Sequence, residues 1–220
     1  GMGSLGTVQF NDVSGSAANA IDDVLPKAYE ESWDGSSHAS SFHSFGSTTQ
    51  SGSVDYRAPA LSFGDMSLSL TATYDPNAGS GPASAGGVAA NDHSGTAFTA
   101  KIDTGMGLVV GAGHEDVNSS ASGTTTSKDL QRATGYILYS NGPVSIGYQE
   151  MFQNSENLGD NTTQAPDVEG DGMAIAFTQD NLSVSYAEVN EEVKDISATT
   201  SLETEMTALQ ATYTMGAMTL

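Results

Sequence analysis

Residues 66–74 read MSLSLTATY. Met66, Leu68, Leu70, Ala72 and Tyr74 alternate with Ser67, Ser69, Thr71 and Thr73, the period of two that sends successive side chains to opposite faces of a β-strand. The polar set decides the fold class, because it is small and uncharged. A water-soluble sandwich or barrel turns its apolar face inward and covers the outside with Lys, Glu and Arg. A strand with a greasy face opposite a face of Ser and Thr fits the inverted arrangement, apolar residues toward lipid and small polar residues toward a wet lumen.

The pattern recurs along the chain in FTAKID (98–103), VSIGYQ (144–149), LSVSYA (182–187) and LQATYTM (209–215). Alternating segments are joined in pairs by Gly-rich or Asn-rich turns at SFGDM (62–66), DTGMG (103–107), YSNGP (139–143), TQDN (178–181) and TMGAM (214–218), residues that supply positive φ in short hairpins. Taking Gly64, Gly105, Gly142, Asn181 and Gly216 as markers, the spacings are 41, 37, 39 and 35 residues. A propeller has a similar period but fits about four strands into each repeat, whereas two fit here, so the repeat predicts a barrel of hairpins. Between the hairpins lie long polar connections at 75–95, 115–132, 151–170 and 189–205, and short turns at one end with long loops at the other is the asymmetry of outer-membrane barrels. Phe10, Phe63, Tyr74, Tyr136, Tyr139 and Tyr148 fall near strand ends, where an interfacial aromatic girdle would lie.

Composition removes several function classes. Six Lys and Arg stand against 27 Asp and Glu in 220 residues, a formal charge of −21, and nucleic-acid binding needs a basic face. The chain has no Cys, which excludes disulfides, thiolate metal sites and thiol nucleophiles. His38, His43, His93 and His114 show no ligand spacing. No apolar run approaches the roughly 20 residues of a membrane helix, and no charged and apolar leader pattern opens the chain. Neither observation bears on a barrel, whose strands need only alternate apolar residues.

The first connection, residues 11–50, is about twice as long as the others and contains IDDVLPKAYEESWDG (21–35), with the only Trp, a Pro, five carboxylates and a Lys. A loop of this length in a compact protein is usually functional or disordered. In sequence order, GSLGTVQF (3–10), AIDDVLPKAYEESWDG (20–35) and SGSVDYRAPALS (51–62) resemble the strand, constriction loop and returning strand of general bacterial porins, trimeric outer-membrane channels, in their Gly-rich, acidic alphaproteobacterial form.

The resemblance implies an all-β fold: an antiparallel transmembrane β-barrel with a long inward-folded constriction loop. The chain would be a single porin-like domain over 1–220 and an internal fragment of the barrel, with about 10 to 11 of the family's roughly 16 strands. Residues 11–50 would be the constriction loop, with Asp12, Asp22, Asp23, Glu30, Glu31 and Asp34 as its acidic side and Lys27 reducing that field locally. Pro26 would redirect the loop and, with Tyr29, Trp33, Ile21, Val24 and Leu25, would pack on the wall. In VDYRA, alternation sets Asp55 and Arg57 opposite Val54, Tyr56 and Ala58, so Arg57, with Lys101 beside Thr99 and Asp103, would be the basic wall. The implied activity is passive diffusion of small hydrophilic solutes and ions without chemistry, cation-preferring because lining carboxylates concentrate counterions. No cofactor is expected beyond adventitious Ca²⁺ at acidic loops. The expected partners are outer-membrane lipid, lipopolysaccharide and two further copies in a homotrimer, in the cell outer membrane.

Two rivals come from other classes. GDNTTQAPDVEGDG (159–172) offers hard oxygen ligands, which suits a secreted or surface β-protein binding divalent cations or glycans, although its spacing matches neither an EF-hand nor the GGxGxD repeat. An enzyme would need a catalytic constellation: GxSxG is absent, and DHSG (92–95) reads as loop by composition.

Overall fold

The computed structural model describes residues 1–11, 16–30, 45–46, 52–76, 93–119, 128–157, 167–194, 201–215 and 218–219. They are all-β. The strands are β1 (Thr7–Phe10), β2 (Val54–Arg57), β3 (Leu61–Phe63), β4 (Met66–Asp75), β5 (His93–Asp103), β6 (Leu108–Ser119), β7 (Lys128–Asn141), β8 (Val144–Asn157), β9 (Asp167–Gln179), β10 (Leu182–Lys194), β11 (Ser201–Met215) and β12 (Met218–Thr219). The only helical turns among the described residues are two 3₁₀ turns, Gly3–Leu5 and Asn19–Ile21. Every strand pairs antiparallel with its neighbours in a single sheet of order β1-β2-β4-β5-β6-β7-β8-β9-β10-β11-β12, and β3 pairs with β4 beside β2.

The five expected hairpins are present, joining β3 to β4, β5 to β6, β7 to β8, β9 to β10 and β11 to β12. Gly64, Gly105 and Gly142 take the positive φ that tight turns require. In TQDN the positive φ falls on Asp180 rather than on Asn181; both residue types tolerate this region through short polar side chains.

Three expectations are corrected. The segment 51–62 is not one strand: it breaks into β2 and β3 at Ala58–Ala60, because Pro59 has no N–H to give a ladder. The strand foreseen from Gly3 starts at Thr7, after a 3₁₀ turn. The stretches read as polar connections are in part strand: β5 opens at His93 of DHSG, β6 runs to Ser119, β7 opens at Lys128, β8 runs to Asn157, β9 opens at Asp167, β10 runs to Lys194 and β11 opens at Ser201. Hydrogen bonding therefore carries β6 to β11 well past their apolar stretches, to lengths of 12 to 15 residues.

The two faces of the sheet differ as the alternation demands. On one face Leu70, Tyr74, Phe98, Ile102, Ile137, Ile146, Met173, Ile175, Phe177, Leu182, Tyr186, Leu209 and Tyr213 are all exposed. The opposite face is covered by residues 16–30 and 45–46. The buried apolar cluster among the described residues lies beneath that cover, where Ala18, Leu25 and Phe45 meet Ala97, Met151, Ala174, Ala187 and Val189 of the sheet. Most large apolar side chains are thus on the bare face, the reverse of a soluble domain.

Candidate functional site

The covered face is built from residues whose side chains bond the backbone of the covering segment. At its start, Asp55 on β2 is fully buried and accepts the Ala17 N–H at 2.9 Å, Asn11 Nδ2 at 2.9 Å and Thr73 Oγ1 at 2.6 Å. On β8, buried Gln149 accepts the Val24 N–H at 3.3 Å and donates to Ile21 O at 3.0 Å. On β10, Ser185 Oγ accepts the Ala28 N–H at 2.9 Å. On β11, Gln210 accepts the Tyr29 N–H at 3.2 Å and donates to Glu30 O at 2.7 Å, while Thr212 donates to Ala28 O at 3.1 Å. The segment thus runs across the strands from β2 to β11. Farther along the chain, Glu115 on β6 accepts the Gly46 N–H at 3.1 Å. Glu115 is fully buried, and its charge is met by Arg132 Nη1 at 3.2 Å, whose Nε donates to Gln153 at 2.8 Å.

Glycines on the covered face let the segment sit close. A Cβ on Gly147 would stand 2.5 Å from Pro26 Cδ, and one on Gly113 would stand 2.5 Å from the Phe45 ring and 2.8 Å from Ile21. Gly111 makes room in the same way for the ring of Tyr136. This corrects one girdle assignment, since Tyr136 is buried on the covered face, paired across from Gln149. Phe10, Phe63, Tyr74, Tyr139 and Tyr148 are exposed.

Of the acids expected on the loop, Asp22 accepts a hydrogen bond from Asn19 Nδ2 at 2.8 Å, Asp23 is ion-paired with Lys27 four residues on, and Glu30 is exposed. Lys27 thus contacts one of the expected acids directly. Asp12, Glu31, Trp33 and Asp34 lie outside the described residues. Leu25 is buried and Pro26 fills the notch over Gly147, whereas Tyr29 is 65% exposed and is held by its backbone instead of by the expected ring packing. Arg57 is exposed on the covered face, 3.7 Å from Asp55. Lys101 is exposed on the same face, its partners Ser69 and Gly111 leading along one pairing row to Tyr136 and Gln149. Both cations therefore stand on the wall that the segment lies against.

Among the described residues no group of three or more His, Asp or Glu is placed to hold a metal ion, and no helix is long and apolar enough to cross a membrane. Sequence reading missed Asp55, Glu115, Gln149, Ser185, Gln210 and Thr212 as anchors. For Asp55, Glu115, Gln149 and Gln210 the signal was a larger polar residue on a face otherwise of Ser, Thr and Gly, and glycines inside strands at 111, 113 and 147 mark close backbone approach; Ser185 and Thr212 do not stand out from that face. No protein-family model matches the chain, and no curated protein matches it.

Proposed function

We propose that the chain forms the wall of a transmembrane β-barrel in the outer membrane, a porin that passes small hydrophilic solutes and ions by diffusion, with residues 11–50 as its constriction loop. A barrel has no open sheet edge, and an open edge does not persist in lipid.

The observation that carries this reading is the shape of the bare apolar band. The residues Leu68, Ile102, Val110, Ile137, Tyr148, Met173, Glu188 and Thr207 form one continuous pairing row from β4 to β11. Relative to that row, the last apolar residue toward the long connections is Tyr74 on β4, six residues beyond it, and Leu209 on β11, two residues short of it. That edge slips about eight residues over seven strand steps, with Ala133 on β7 and its partner Phe152 on β8 outside it. The tight turns slip the same way, from Met66 on β4 through Val144 and Leu182 to Met215 on β11. At ~3.3 Å per residue and ~4.8 Å between strands, the two edges slope at roughly 30° to 40° to the pairing rows. A flat membrane boundary drawn across strands tilted by roughly 35° to 45° produces this slope. A soluble protein has no reason to arrange exposed apolar residues in a slanted band.

The rival soluble binding module gains nothing comparable. The carboxylates outside the band, among them Glu150, Asp171, Glu188 and Glu205, are where strands would emerge into water. Because the chain has no Cys, a single thiol placed at Ile175 on the bare face and another at Ser183 on the covered face read the two environments directly. In vesicles, a fluorophore at Ile175→Cys is expected to be quenched by nitroxide lipids, while Ser183→Cys reacts with a membrane-impermeant thiol reagent. Equal aqueous reactivity at both, in protein soluble without detergent, would overturn the barrel in favour of the soluble module.

A further inference from the structure

Gln149 and Gln210 bind the covering segment in the same unusual way. A primary amide carries both a donor and an acceptor, so it can complement a peptide backbone as another peptide does. Gln149 takes the Val24 N–H and gives to Ile21 O, with its second hydrogen directed at Thr134 Oγ1 at 3.0 Å. Gln210 takes the Tyr29 N–H and gives to Glu30 O. The two anchors bracket Leu25, Pro26 and Lys27, and Pro26 has no N–H to be satisfied. A carboxylate at either place would keep the acceptor and lose the donor, and an aliphatic side chain would lose both. The ion pair Asp23–Lys27 rides on this stretch, so the position of these charges relative to the sheet depends on the two amides, together with Ser185 and Thr212, which hold Ala28.

We infer that Gln149 and Gln210 are positioning residues, a two-point amide clamp that fixes how far residues 21–30 stand from the wall and therefore the free cross-section beside them. This rests on the porin reading for its consequence in transport, but the clamp itself is tested without it.

The test is amide hydrogen exchange and neutral-polymer exclusion in Gln149→Leu, Gln210→Leu and Gln210→Glu, using the full chain in lipid. Gln210→Leu is expected to speed exchange of the Tyr29 amide about tenfold or more and leave Val24 and the strand amides unchanged; Gln149→Leu does the reverse. Gln210→Glu, which keeps the acceptor for Tyr29, is expected to leave that amide protected, an outcome that mere loss of packing would not give. Polymer exclusion by the channel is expected to shift in both leucine variants. Unchanged exchange at Tyr29 in folded Gln210→Leu overturns the clamp, and since Gln210 is only half-buried this variant carries the test if Gln149→Leu fails to fold. Altered exchange with an unchanged exclusion limit overturns its role in setting the cross-section. Absence of any channel in the parent protein counts against the porin reading, while the exchange result still decides the clamp.

Discussion

At the scale of single residues, the covered face works because it is nearly bare of side chains where the segment must approach and unusually well supplied with hydrogen-bonding groups where its backbone must be satisfied. Gly147 belongs to the first kind and Gln149, two residues later on the same face, to the second. A side chain at 147 would strike Pro26 and also Leu138, 2.8 Å from the added Cβ, and neither a proline ring nor a packed leucine yields easily. Gly147→Val is therefore expected to cost about 1 to 3 kcal/mol, the usual penalty for overpacking. Denaturant titration in detergent checks this, with Gly135→Val as the control, because a Cβ there meets nothing within 4 Å. The resemblance to a constriction loop pointed to Pro26 and Leu25 as packing residues, and both meet the sheet or its cover. It misplaced Tyr29 because an aromatic in a loop looks the same whether its ring or its backbone makes the contact.

At the scale of elements, the hairpins were legible because alternation and turn chemistry are both local, and five turns with matching flanks leave little freedom. Strand length was not legible. Beyond the apolar band the bare face of β8 to β11 turns polar, as at Asn190 and Glu192, while the apolar residues move to the covered face, as at Val168 and Val189, so the pattern of a greasy face opposite Ser and Thr is lost while ladder hydrogen bonds continue to Lys194. Tilt was hidden for a related reason, since it exists only in the register between strands. One pairing row, Leu108–Tyr139–Ile146–Ile175–Tyr186–Leu209, crosses the band from its turn-side edge to its loop-side edge. If the band marks the membrane, Ile175→Arg is expected to cost about 2 to 4 kcal/mol, near the value for the bilayer midplane, and Leu108→Arg and Leu209→Arg about 0 to 1. Reversible unfolding from lipid vesicles measures all three. Equal penalties along the row would mean that the slant has nothing to do with lipid.

At the scale of the whole molecule, the side of the sheet that receives the segment was legible from the character of the polar face, and the segment's course across it was not, because each anchor joins residues far apart in sequence. Ala28 and Thr212 are 184 positions apart. If the barrel reading holds, the net charge of −21, with Arg57 and Lys101 on the covered face and Arg132 there paired with Glu115, favours cations in transit. That preference is expected to weaken with salt as the screening length falls from ~10 Å at 0.1 M to ~3 Å at 1 M.

The most direct measurement is single-channel conductance of the full chain in a planar bilayer, with the reversal potential read in a salt gradient. The account predicts stepwise, ohmic conductance with cation preference, reduced when Asp22, Asp23, Glu30 and Glu31 are neutralised together. No conductance, from a protein that stays soluble without detergent, would contradict it.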